Sequence, residues 1–384
     1  MPLIVVFLRQ LGPYHIARFS SLSKTFKVHV IITRSLSDEY DWRIEKNLPF
    51  VVEYLNGRTH DHDPNIFLIF AALDKLYTLN RNLVLFIPGW SDSSHYSAFL
   101  FAYLFNIRLI IASDSNYSDH KRNIFLELVK ETLLRGASGF LCAGTLSRKY
   151  LRMLKVPSSK ICEPWDVVDN SFFDEQISAS SQTKDPYILC VSRNLQKKNI
   201  PYLISEFATY SLNGGLYDLK IVGVNRDASK LRELCASVGV SDRVEILPFV
   251  QKEAIRNLYQ RCRLFVLPSI YDQWGLVVNE AMASKALCII SEKCGCTQDL
   301  ITNSETGWTF NPFISGDLTK KLLMSDNLSK TRIDSLTLAA LCNLQTRFTL
   351  DHFHNAVLHL CSAAPVRSNR SALMALLLLF FRRH

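Results

Sequence analysis

The chain has 384 residues, 48% hydrophobic and 21% charged, a composition of folded rather than disordered protein. Its 44 Lys and Arg against 35 Asp and Glu leave a net charge of +9, which points to an anionic partner. The basic residues are scattered and form no nucleic-acid module or zinc-finger spacing, so a phosphorylated small molecule or an anionic membrane surface is expected instead.

The 10 cysteines follow no regular framework, and Cys294 and Cys296 around a single Gly give neither a zinc nor a redox spacing. Met1-Pro2 runs directly into a strand-like segment without a secretory signal, which predicts a cytoplasmic protein with reduced thiols. No stretch reaches the ~18 apolar residues of a spanning helix.

Leu3 to Leu8 is a continuous apolar, β-branched run, the pattern of a buried parallel strand. It stops at Gly12-Pro13, and a helical pattern follows from about Tyr14. Further strands are predicted over Val28 to Thr33, Phe50 to Leu55, Leu83 to Ile87, Leu109 to Ala112 and Gly139 to Cys142, with helices between several of them. A polar stretch, Asp174 to Pro186, reads as the interdomain linker.

The second half repeats the alternation. Strands are predicted over Tyr187 to Val191, Leu219 to Val222, Val244 to Leu247, Leu264 to Leu267 and Leu287 to Ile290. Helices are predicted over Pro201 to Leu212, Ser229 to Val238, Lys252 to Arg261 and Gly275 to Ser284, and the chain beyond Asp317 is mostly helical. The alternation predicts two doubly wound, Rossmann-like α/β domains, over 1–175 and 187–345, with a helical tail over 346–384. Neither first strand is followed by Gly-x-Gly-x-x-Gly, and there is no Walker A sequence, which argues against a dinucleotide oxidoreductase or a P-loop enzyme.

Two segments carry the chemistry. After the Leu264 strand comes a loop with Asp272, then Gly275-Leu276 at a helix start, then Glu280-Ala-Met-Ala283. Amides near Gly275 and Leu276 could meet a diphosphate, with the missing Cβ of Gly275 permitting close approach. Along a helix, Asp272 and Glu280 would stand about 12 Å apart, enough to hold hydroxyls at opposite ends of one ligand. The plain alternative makes Asp272 a helix cap and Glu280 a solvated residue. After the Tyr187 strand, Arg193 and Lys198 place two cations at the same edge, suited to a diphosphate leaving group.

In these residues the second half resembles the donor-binding domain of the retaining GT-B glycosyltransferases of family 4, the glycosyl transferases group 1. Arg193 and Lys198, with four residues between, match that family's basic pair. Asp272 and Glu280, with seven between, match its acidic pair, with Asp for the usual Glu. Gly275-Leu276 and Glu280-Ala-Met-Ala283 match as well, and the resemblance is strong over about Tyr187 to Pro312. It implies a GT-B fold, two Rossmann-like domains facing across a cleft. It implies that Arg193 and Lys198 hold the diphosphate, Glu280 the ribose and Asp272 a sugar hydroxyl.

The implied reaction moves a hexosyl group from a UDP- or GDP-sugar to an acceptor hydroxyl with retention. It uses no metal or other cofactor. The acceptor would be a polysaccharide, a lipid-linked glycan or a small molecule, handled at the inner face of the membrane.

The first half matches more loosely. Ser113 to Asp119, Arg122, Glu127, Lys130 and Asp166 to Asn170 resemble a bacterial subset of the family. Gly12 and His15 stand in the loop after the first strand, which the resemblance implies approaches the donor phosphates or the acceptor, so His15 is either a site residue or a structural helix cap. Departures from the pattern are Ser284-Lys-Ala-Leu287 in place of Gly and Pro, Gly223-Val-Asn225, and Phe249-Val250 without its Gly. The apolar Ser371 to Phe381, flanked by Arg367, Arg370, Arg382 and Arg383, reads as an interfacial helix or as one packed on the protein. Competing functions are a nucleotide-sugar epimerase and a non-catalytic sugar-nucleotide binding protein.

Overall fold

A computed structural model describes residues 1–33, 47–55, 65–90, 92–119, 122–175, 187–192, 196–225 and 227–364. Most of the expected linker, the apolar segment from Ser371 to Phe381 and Arg193 lie outside them. The chain divides into two compact units, Met1–Val167 with Leu350 onward, and Val168–Thr349.

The first unit runs β1 (Leu3–Leu8), α1 (Pro13–Leu22), β2 (Lys27–Ile32), β3 (Val51–Tyr54), α2 (Ile66–Leu79), β4 (Leu83–Pro88), α3 (Ser93–Phe105), β5 (Arg108–Ser113), α4 (Ile124–Leu134), β6 (Gly139–Cys142), α5 (Thr145–Met153) and β7 (Ile161–Cys162). Its seven strands lie in the order β3-β2-β1-β4-β5-β6-β7, and every pairing is parallel. Parallel sheets need cover on both faces, and all six residues of β1 are buried. Asn65 and Asn123 cap α2 and α4 by accepting first-turn N–H groups.

The second unit runs α6 (Asn170–Asp174), β8 (Tyr187–Val191), α7 (Ile200–Leu212), β9 (Asp218–Val222), α8 (Ala228–Ser237), β10 (Val244–Leu247), α9 (Lys252–Arg261), β11 (Leu264–Leu267), α10 (Leu276–Ala283), β12 (Leu287–Ser291), α11 (Thr297–Leu300), β13 (Trp308–Phe310), α12 (Asp317–Asp326) and α13 (Lys330–Arg347). Its sheet is also parallel throughout, in the order β10-β9-β8-β11-β12-β13. Then α14 (Leu350–Cys361) packs on α1 and β6 of the first unit, where His354 hydrogen-bonds Thr25 and the Ser21 carbonyl.

The unit boundary falls at Val167 rather than near 175 because α6 packs on α10 and is tied to α9, where Gln260 donates to the Phe173 carbonyl at 2.7 Å and the Tyr259 ring stands edge to face with that of Phe173. Two short strands, β7 and β13, are not visible as runs in the sequence. Each unit has its own apolar core, and none of the ten cysteines is bridged. Eight cysteines are buried, Cys162 is half-buried and Cys342 is exposed. Among the described residues no helix is long and apolar enough to cross a membrane.

Candidate functional site

In a doubly wound sheet, ligands gather where neighbouring strands send their connections in opposite directions. In the second unit that point lies between β8 and β11. The turn after β8, Gln196–Lys198, meets the loop after β11 directly, the Ile270 N–H donating to the Lys197 carbonyl at 2.9 Å.

Asp272 is buried at this junction. Its carboxylate pairs with the Lys198 ammonium, and the Lys197 ammonium lies 3.8 Å from its other oxygen. Lys197 also donates to Gln273 Oε1 at 3.1 Å. A buried carboxylate is costly without such a partner, so the pairing fixes both the loop and the lysines.

The loop after β12 clamps Asp272 from behind. The Asp272 N–H donates to the Lys293 carbonyl, the Gly295 N–H to the Asp272 carbonyl, and the Cys296 N–H to the Trp274 carbonyl. Gly295 has to be glycine, since a Cβ there would stand 1.7 Å from the Gln273 carbonyl oxygen. Cys294 and Cys296 flank it fully buried, and burial pushes both thiols up, with the Asp272 charge adding to the effect. Trp274 donates to Asn279 at 2.9 Å and closes the loop onto α10.

The helix starts only at Leu276, with Gly275 at its N-cap in the left-handed region, φ +103°. The 12 Å helical spacing of Asp272 and Glu280 therefore does not hold, because residues 272–275 are not helical. Only the step from Leu276 to Glu280 is helical, about 6 Å along the axis. Within the first turn the Val278 N–H already donates to the Gly275 carbonyl at 2.9 Å, while the Leu276 and Val277 amides have no helical acceptor and face the N-terminal side, where the helix dipole favours an anion. Glu280 is buried, and its Oε2 accepts from the Tyr259 hydroxyl at 2.9 Å. Neither carboxylate is thus a solvated surface residue.

The structure brings Lys198, Asp272, Gly275 and Leu276 to one sheet edge, with Glu280 on the helix leading from it. Sequence reading missed Lys197, Tyr259 and the clamp at 293–296. Tyr259 stands 21 positions before Glu280 without a periodic relation, so spacing gave no signal for it. Gly295 offered one signal, a lone glycine between two small buried residues.

The first unit's corresponding point lies between β1 and β4. Here His15 Nδ1 accepts from the Gly12 N–H at 3.2 Å, which caps α1. Desolvation by burial, then the charge of Arg18, pull its pKa down to about 3, so the ring is neutral and weakly basic. The Arg18 side chain is itself buried: it bonds Asp166 at 3.1 Å and the Val167 carbonyl at 3.2 Å, and lies over the Trp165 ring at 4.2 Å. Burial lowers the Arg18 pKa, and Asp166 offsets part of that.

Farther along the same edge, Glu127 accepts from Lys130 at 2.8 Å and from Tyr150 at 2.7 Å, and Arg122 donates to the Tyr150 hydroxyl at 2.8 Å. Burial raises the Glu127 pKa, but the Lys130 and Tyr150 hydrogen bonds outweigh it and leave it lowered. Among the described residues no three His, Cys, Asp or Glu side chains are grouped to hold a metal ion.

This pair of parallel-sheet α/β domains is the GT-B architecture. A solved Anabaena protein, HepE in complex with UDP and glucose, superposes with a TM-score of 0.72 at 13% identity, over 93% of this chain and 98% of that one. Residues 172–332 match the family model described as glycosyl transferases group 1, which takes in Lys198 and the whole Asp272 to Glu280 segment. An uncharacterized glycosyltransferase of Methanocaldococcus jannaschii is 28% identical over 177 residues, 43% of this chain and 45% of that protein. The O-antigen chain mannosyltransferase RfbU of Salmonella typhimurium is 27% identical over 169 residues, 44% of this chain and 46% of that protein. The chain thus spans less than half the length of these curated relatives.

Proposed function

We propose that the protein is a glycosyltransferase that moves a hexosyl group from a UDP- or GDP-sugar to an acceptor hydroxyl with retention of configuration. The observation that carries this reading is the pairing of half-buried Lys198 with buried Asp272 beside the N-terminus of α10, inside the segment that matches the group 1 family. A phosphate arriving there would share the Lys198 ammonium with Asp272 and meet the first-turn amides of α10. Arg193 would add a second cation. Asp272 would hold a hydroxyl of the donated sugar and Glu280 the ribose, with the Glu280 carboxylate aimed by Tyr259.

As the glycosidic bond breaks, negative charge grows on the leaving diphosphate, and Lys198, Arg193 and the helix amides stabilise it without a metal. The departing phosphate oxygen, on the same face as the attacking hydroxyl, would take its proton. A protein base is then unnecessary, which agrees with the low basicity of His15. The related O-antigen mannosyltransferase and the basic charge favour a cell-surface polysaccharide or lipid-linked acceptor, met at the inner face of the membrane.

The test is a metal-free thermal-shift screen against UDP, GDP, ADP and their sugars, with Lys198→Ala and Glu280→Ala alongside. One nucleotide should raise the melting temperature of the parent and of neither variant. If none does so, the reading fails and a non-catalytic role takes its place.

A further inference from the structure

We propose that the face formed by α4 and α5 of the first unit docks on an anionic lipid bilayer. Residues 122–155 contain seven basic residues and two acidic ones, a net of +5, so more than half of the chain's +9 sits in this short segment. Both acids are already neutralised along the seam between the helices. Glu127 is bound by Lys130 and Tyr150, and Glu131 by Arg135 and Lys155. Arg148 pairs with Glu163 at 3.1 Å, while Arg135, Lys149, Arg152 and Lys155 are exposed, so the outer face carries positive charge.

Apolar groups stand on that same face. Ile124 is 82% exposed, Phe125 59% and Leu128 54%, in one stripe at i, i+1, i+4 on α4. On α5, Met153 is 57% exposed, with exposed Lys149 and Arg152 four residues and one residue before it. Tyr150 on α5 bonds Glu127 on α4, and Lys155, just past the end of α5, bonds Glu131, so the apolar stripe and the exposed cations stand on neighbouring elements.

This combination selects its partner. The core of a protein interface is depleted of Lys, and phosphate-bound nucleic acid has no use for a protruding Ile-Phe-Leu stripe. Anionic headgroups above an acyl boundary satisfy both halves at once. Moreover, α4 follows β5, so its exposed N-terminal turn lies at the strand-end edge where doubly wound sheets take their ligands. A bilayer held there would present lipid-anchored molecules beside that edge. The proposal does not depend on the donor chemistry, because it is read without any nucleotide.

The experiment is co-sedimentation of the full chain with two kinds of vesicle. One is phosphatidylcholine alone, and the other is roughly two parts phosphatidylcholine to one part phosphatidylglycerol. Binding to the anionic vesicles alone, weakening as salt rises, is expected. Ile124→Ser/Phe125→Ser/Leu128→Ser and Lys149→Glu/Arg152→Glu should each weaken it about tenfold or more, with the melting temperature unchanged. As a second readout, the Phe125→Trp variant should show a blue shift of emission relative to the parent on anionic vesicles. Absence of anionic binding, equal binding to neutral vesicles, variants that bind like the parent, or no added emission shift would each overturn the proposal. Unweakened variants would move the membrane contact to another part of the chain, and failure to bind would favour a protein or nucleic-acid partner for this face.

Discussion

The two units wind their sheets alike, and each reverses its strand order beside its first strand, yet they use that point differently. In the first unit the polar groups there are spent on the protein itself. His15 caps α1 through Gly12, and Arg18 is sealed against Asp166, Val167 and Trp165. In the second unit two lysines converge on a single carboxylate, next to a helix N-terminus opened by a glycine. Equal topology therefore does not give equal chemistry. What separates the two is whether the charged groups at the strand ends are enclosed by the core or gathered at the edge.

The sharpest way to break this contrast is Gly295→Ala. The added methyl would collide with the Gln273 carbonyl, so the clamp behind Asp272 must open. A loss of roughly 3 kcal/mol or more in chemical denaturation is expected, together with loss of nucleotide binding. A variant that melts like the parent would show that the clamp is not what fixes the loop.

Next in size is Lys198→Ala. It strips Asp272 of its nearer cation but leaves Lys197 close by, so about 2–3 kcal/mol should be lost, less than for a fully orphaned buried charge. Adding Asp272→Asn should return most of the stability and none of the nucleotide binding. A double variant no more stable than the single one would mean that the two side chains do not depend on each other.

Tyr259→Phe is milder. It removes one hydrogen bond from a buried carboxylate, at about 1 kcal/mol, and titration should find nucleotide binding weakened roughly fivefold. Unchanged binding would detach Tyr259 from the donor site and leave it a core residue.

The smallest effect concerns the first unit. The folded-state pKa of His15, about 3, lies below the ordinary 6.5, so the unfolded chain takes up a proton that the folded one refuses. Its contribution to stability is complete above pH 6.5 and is lost as pH falls from there towards 3. The slope is at most ~1.4 kcal/mol per pH unit, and lower in practice because the ring is not fully shielded from water. Melting curves of His15→Asn across that window should be flatter than those of the parent. An equal slope would place the acid sensitivity in other groups.

Much of the fold was legible because parallel strands must be apolar on both faces, and runs such as Leu3–Leu8 and Leu264–Leu267 announce themselves. The strands that escaped, Ile161–Cys162 and Trp308–Phe310, are too short to form a run. The return of Leu350–Cys361 to the first unit has no local signature, since it depends on what His354 and Phe353 find to pack against. In the candidate site, Lys198, Asp272, Gly275 and Glu280 could be named from spacing. That Lys198 and Asp272 hold each other, 74 positions apart, could not. Nor could the Tyr259 contact or the collision that demands Gly295, because both depend on segments the fold alone brings together.

The thiol inventory has a practical consequence. Nine of the ten cysteines are buried or half-buried, and burial raises most of their pKa values, including that of Cys162. Alkylating reagents attack the exposed thiolate, so Cys342 on α13 should react first and by a wide margin. The protein thus brings its own attachment point for a single fluorophore, seated on the second unit and installed without changing a residue.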